Sequence, residues 1–237
     1  MIVVVGDVHG KFNEFKIGVR NILNETYTDG LPINFVQLGD FGLGFEKPMH
    51  VFNELLDLNT DLALRKSTLW VIRGNHDNPS FWNPETGYKF DNIHFVQDDS
   101  ILELDGKRCY FAGGAISIDR CVRKQGVNYW ESEVYQYKNK TIYDNIDIIF
   151  THDVYQEISN FKLHASDIVK QWIQKDKYLY EDMMAQQYEL KKIYENVVSK
   201  NKPTKWYHGH YHESSVCYYN ENSFTCGLSE LEFKEVR

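Results

Sequence analysis

The chain has 237 residues, of which 42% are hydrophobic, and a formal net charge of −8. That is enough apolar material for one full core, so a single domain over 1–237 is expected. The acidic balance argues against broad affinity for nucleic acid or anionic membrane, while leaving room for a locally basic site.

Ile2-Val3-Val4-Val5 reads as a buried strand and leads into Gly6-Asp7-Val8-His9-Gly10. A carboxylate and an imidazole two positions apart, just past a strand, can face the same open end of a sheet, and the flanking glycines let the backbone turn tightly. From Lys11 to Leu23, Phe12, Phe15, Val19, Ile22 and Leu23 recur at helical spacing. Thr26 to Pro32 is a polar turn. The next strand, Phe35 to Leu38, ends in Gly39-Asp40-Phe41-Gly42. Pro48 suits a first helical turn, and Val51, Phe52, Leu55, Leu56, Leu58 and Leu62 predict a face that packs on the sheet. A third strand, Thr68 to Ile72, precedes Gly74-Asn75-His76-Asp77. After it, Asn78 to Pro84 sets Phe81 and Trp82 between prolines, as either a pocket rim or a buried aromatic staple.

Between Ile93 and Gly113, the pair Asp105-Gly106 is a strong hairpin signal and predicts a change from βαβ units to antiparallel pairing. Gly113-Gly114 permits close approach to another group and opens a loop with Arg120, Arg123 and Lys124, then Tyr129-Trp130. Three cations beside an aromatic pair suit an anionic substrate, although such loops are commonly solvated surface. If the loop is helical, Arg120 and Arg123 share one side of a turn; the alternative is that both pair with Glu131 or Glu133 and only hold the loop. Ile146 to Phe150 is a strand before Thr151-His152-Asp153.

Apolar residues from Ile168 to Val198, within a helical segment at about 161–200, predict two helices meeting near Lys175 to Tyr180, with Met183 and Met184 filling core. A short strand from Lys205 precedes His208-Gly209-His210-Tyr211-His212. Ser214 to Tyr219 and Ser223 to Cys226 then form a second hairpin across Asn220-Glu221-Asn222.

Cys109, Cys121, Cys217 and Cys226 show no C-x-x-C spacing and read as reduced thiols. No basic region leads into a long apolar core, and no stretch approaches the roughly 18 consecutive apolar residues of a membrane span. The expectation is a soluble cytoplasmic protein with no membrane partner.

Five strands thus end in Asp, His or Asn, and in an open α/β sheet ligands bind outside the carboxyl ends of the strands. Imidazoles, carboxylates and an amide without thiolates suit Mn²⁺, Fe, Zn²⁺ or Ni²⁺ better than Ca²⁺ or a Cys-rich structural zinc.

In order, from residue 6 to residue 212, these motifs resemble the calcineurin-like metallophosphoesterases. The resemblance implies an α/β fold, a four-layered αββα sandwich, with two divalent ions at the strand C-terminal ends, Mn²⁺ foremost. It assigns Asp7, His9 and His212 to one ion and Asn75, His152 and His210 to the other, with Asp40 between them. Two ions roughly 3.5–4 Å apart can activate a shared water for in-line displacement at phosphorus. The resemblance makes His76 the proton donor or charge stabiliser; Asn75 and, from the loop's own residues, Arg120 and Arg123 are the candidates to bind substrate.

The chain departs from the Ser/Thr protein phosphatase branch. Phe41-Gly42-Leu43-Gly44 stands where that branch continues with Asp-Arg, and Asp77 where it has Glu. Hydrolysis of a small phosphomonoester, phosphodiester or nucleotide is therefore expected. A Ser/Thr-type phosphatase and a non-catalytic scaffold of the same fold are the alternatives; loss of turnover should show first as lost ligands or a lost catalytic His, and every such position is filled.

Overall fold

Strand β1 (Ile2–Val5) sets the layers through its alternation. Val3 and Val5 enter one apolar cluster with Phe12, Phe15, Val19, Leu55 and Leu62, while Ile2 and Val4 enter another with Phe111, Phe150 and Cys226, as a period of two requires. A strand buried on both faces lies in an inner layer. The computed structural model describes residues 1–26, 30–44, 48–85, 87–138, 145–161, 166–198 and 202–236.

In the first sheet β1 is joined in parallel by β2 (Asn34–Gln37), β3 (Thr68–Val71) and β4 (Ile93–Phe95), and β11 (Phe233–Glu235) runs antiparallel on the outer side of β1. Helices α1 (Phe12–Glu25) and α2 (Pro48–Leu64) cover its outer face. Val51, Leu55, Leu58 and Leu62 of α2 are buried as expected, but Leu56 is turned to solvent.

The second sheet contains β5 (Ser100–Leu104), β6 (Lys107–Ala112), β7 (Ile148–Thr151), β8 (Lys205–His208), β9 (Ser215–Tyr218) and β10 (Phe224–Gly227), in the order β5-β6-β7-β8-β10-β9. Its outer face packs Tyr110, Ile149 and Trp206 against Leu190 and Ile193 of α4 (Leu179–Asn196). The order of layers is therefore αββα.

Antiparallel pairing is confined in this sheet to the two hairpins, β5 with β6 and β9 with β10; β6, β7, β8 and β10 run parallel. The Asp105-Gly106 turn reverses the chain once, the long crossovers that follow bring β7 and β8 parallel to β6, and the second hairpin, through the antiparallel β9, returns β10 parallel to β8. Helix α3 (Asp167–Ile173) begins at Ser166, whose side chain accepts from Val169 N, and α4 follows it, so two helices meet where expected. Met183 is core, whereas Met184 is exposed. Among the described residues, no helix is long and apolar enough to cross a membrane.

Candidate active site

The C-terminal ends of parallel strands deliver the polar residues: Asp7 and His9 after β1, Asp40 after β2, Asn75 and His76 after β3, His152 after β7, His210 and His212 after β8. Four of these residues have left-handed backbone, with φ of 49° at His9, 52° at Asp40, 70° at His210 and 53° at His212. Non-glycine residues seldom adopt it, and where they do the surroundings must enforce it. Here Val8 N and His9 N both donate to the Asp40 carbonyl at 3.0 and 2.7 Å, and His210 N donates to the Asp7 carboxylate at 3.1 Å. A Cβ on Gly74 would overlap the Asp40 carboxylate, so only glycine lets the third loop come this close to the second.

Single ligand atoms of Asp7, His9, Asp40 and His212 all lie within 4.8 Å of one another. Nε2 of His212 is 3.0 Å from Asp7 Oδ2 and 2.9 Å from His9 Nε2. Imidazole nitrogens converging on buried carboxylates call for positive charge between them, and Asp7 above all raises the His212 pKa. Nδ1 of His212 faces Glu230 at 3.4 Å, and Glu230 is in turn paired with Lys11. A carboxylate behind an imidazole orients the ring and raises its basicity. Glu230 carried no sequence signal, because it lies beyond the last motif with no patterned neighbours.

A second group lies on the other side of Asp40. His152 Nε2 is 2.9 Å from Asn75 Oδ1 and 3.5 Å from Asp40 Oδ1, and its Nδ1 meets the Leu38 carbonyl at 2.7 Å. The His210 ring stands edge-on to that of His152, with centroids 5.0 Å apart. Burial works against charge on Asp40, yet His152, His76 and His9 together hold its carboxyl well below the ordinary range. His152 shows the complement: burial lowers its pKa, but Asp40 outweighs that and raises it. This thiolate-free set of buried carboxylates, imidazoles and an amide fits a divalent transition ion.

A family model described as calcineurin-like phosphoesterase matches residues 1–214. The chain belongs to that family. A search of curated proteins gave no match.

In this family member His76 lies outside the four-residue group. Its backbone N donates to Asp40 Oδ1 at 2.8 Å, its Nε2 is 3.9 Å from Asp40 Oδ2, and burial lowers its pKa. Arg123 reaches it: Nη1 and Nη2 each lie 3.0 Å from a His76 ring nitrogen, while Nε is 2.7 Å from Asp119.

Arg120 goes elsewhere. Its Nε is 2.7 Å from Asp176 and its Nη2 2.5 Å from Asp182, at the α3–α4 junction. The expected shared face does not form, because 120–122 is a single 3-10 turn and Arg123 has extended backbone, with φ −89° and ψ 162°. The alternative ion pairs with Glu131 or Glu133 do not form either: Arg120 meets Asp176 and Asp182, Arg123 meets Asp119, and Glu133 accepts from Ser117 N and Oγ. Arg120 is thus a tether of the loop to the helices.

Arg73 and Asp77 hold the loops around these residues. All five N–H donors of Arg73 are engaged, with Asp98 and with the carbonyls of Ser132, Glu133 and Val134. Gly113 and Gly114 pack against Arg73, and not against the Asp/His groups. Asp77 accepts four backbone N–H groups, from Phe41, Gly42, Leu43 and Gly74. Trp82 is buried, with Nε1 donating to the Val71 carbonyl at 3.1 Å. It also lines an open cavity of about 700 Å³ together with Arg73, Pro84, Gln97 and Lys138, so both readings of that aromatic segment hold. None of the candidate ligands lines that cavity.

Proposed function

We propose that this phosphoesterase holds two divalent ions, Mn²⁺ foremost, and hydrolyses small phosphomonoesters, phosphodiesters or nucleotides. Asp7, His9, Asp40 and His212 would hold one ion, and Asp40, Asn75, His152 and His210 the other. The observation that supports this is the place of Asp40, a buried carboxylate with donor groups on both sides. When bound, two such ions activate water for attack at phosphorus and offset charge on its oxygens.

The chain's own residues supply the rest. His76 stands beside Asp40 without being needed as a ligand, and protonates the leaving oxygen. Arg123, fixed by Asp119 with its two terminal nitrogens at His76, presents a planar fork to the outward phosphoryl oxygens. It would take the place of the Asp-Arg pair of the protein phosphatase branch, and the Asn75 amide hydrogen not used by Ser117 would donate to the same substrate. Cys109, Cys121, Cys217 and Cys226 are free thiols, which supports a reducing compartment, the cytoplasm.

The deciding experiment loads purified protein with Mn²⁺ or Ni²⁺ and assays it in parallel on a chromogenic monoester, a chromogenic diester, nucleotides, cyclic nucleotides, single-stranded DNA and a phosphoserine peptide. Turnover of a small ester or nucleotide is expected. Full metal occupancy without turnover of any of them would favour a binding scaffold, and preference for the peptide would favour a protein phosphatase.

Two variants separate the roles. His76→Ala should keep both ions and lose roughly 10²–10⁴ in kcat, less on substrates with a good leaving group; metal analysis showing loss of an ion would make His76 a ligand. Arg123→Lys should lower kcat/KM by about tenfold or more, about 1.4 kcal/mol, at unchanged metal content. Wild-type kinetics in that variant would return Arg123 to a purely structural role.

A further inference from the structure

An asparagine offers a metal ion either its oxygen or its useless amide nitrogen, and the two differ only by a flip of the amide. Behind Asn75 the structure holds a device that decides between them. Asn75 Nδ2 is 2.9 Å from Ser117 Oγ; Ser117 Oγ and Ser117 N are each 2.7 Å from an oxygen of Glu133. All three residues are buried, with Ser117 and Glu133 each 2% exposed. The backbone of Glu133 is held in turn by Arg73, whose Nη1 donates to its carbonyl at 2.7 Å.

A carboxylate only accepts, and a serine hydroxyl has one proton. Since that proton goes to Glu133, Ser117 Oγ can only accept from Asn75, which must turn its NH₂ toward Ser117 and its Oδ1 toward His152. We propose that Ser117 and Glu133 are positioning residues that lock the Asn75 amide with its oxygen facing the second ion. This rests on the two-ion reading above, and extends it to residues on a loop that contributes no ligand. Burial pushes the Glu133 carboxyl up to about 7, with the Ser117 donors opposing, so the test belongs at pH 8, where Glu133 is a carboxylate.

Metal-free protein would be titrated with Mn²⁺ by calorimetry, with thermal unfolding followed in parallel. Wild type should take up two ions. Ser117→Ala removes the acceptor that fixes the amide, and should weaken the second site by about 10- to 100-fold while the site at Asp7, His9 and His212 keeps its affinity. Glu133→Gln is nearly isosteric and tests the same logic without a cavity. Its Nε2–H can donate to Ser117 Oγ, which frees the hydroxyl proton for Asn75 Oδ1 and permits the flip, so the same selective weakening is expected. If Ser117→Ala fails to fold, Glu133→Gln decides.

Two ions in the wild type with an unchanged second site in the folded variants would overturn the positioning role and leave the two-ion reading standing. Equal weakening of both sites would also overturn it, as the mark of a general structural defect. A wild type that binds only one ion would overturn the two-ion reading and this role with it.

Discussion

Asp40→Asn is expected to lower phosphoester turnover by on the order of 10³-fold or more, about 4 kcal/mol in the barrier, with little change in fold. The carboxylate is 1% exposed and stands between the two donor groups, 3.9 Å from His9 Nε2 on one side and 3.5 Å from His152 Nε2 on the other. An amide there keeps an oxygen for the His76 N–H but loses the negative charge that would offset the mutual repulsion of the two proposed dications. On the two-ion reading proposed above, elemental analysis should show one ion in the variant against two in wild type. Two ions per chain with unchanged turnover would remove Asp40 from the bridging position.

Asp77→Asn should be the most destabilising single change near the site. Asp77 Oδ1 takes Gly42 N and Leu43 N at 2.7 and 3.0 Å, and Oδ2 takes Phe41 N and Gly74 N at 3.1 and 2.8 Å. Whichever oxygen becomes NH₂, two buried N–H groups lose their acceptor and meet a donor. At about 1–3 kcal/mol for each unsatisfied group, the loss is about 2–6 kcal/mol, to be read from chemical denaturation midpoints. The second and third loops are held together by this carboxylate, so metal uptake should weaken as well. A stability within about 0.5 kcal/mol of wild type would mean that the loops find other acceptors.

Phe41-Gly42-Leu43, where the protein phosphatase branch has its Asp-Arg pair, carries no charged side chain, and its backbone N–H groups donate to Asp77. A cation reaches His76 from the loop after β6 instead, as Arg123.

The residue order alone marked the strands and the candidate ligands at their ends, and the family resemblance those motifs carry implied the four layers. Ile2-Val3-Val4-Val5 can be buried on both faces only as an inner strand, and Asp, His and Asn placed just after apolar runs gather at one edge once those strands run parallel. Both signals are local and periodic, so they can be read along the chain. Only the tertiary structure separated Arg120 from Arg123, since their sequence context is nearly the same and the difference lies in Asp176 and Asp182, brought in from the α3–α4 connection and from α4. It likewise joined Glu133 to Ser117 and Asn75, placed Glu230 behind His212, and set β11, three residues long, against β1. Each of these depends on groups far apart in sequence, and no spacing rule records which distant partner a buried carboxylate or guanidinium will meet. Burial makes such groups find one, and the packing of the four layers decided which.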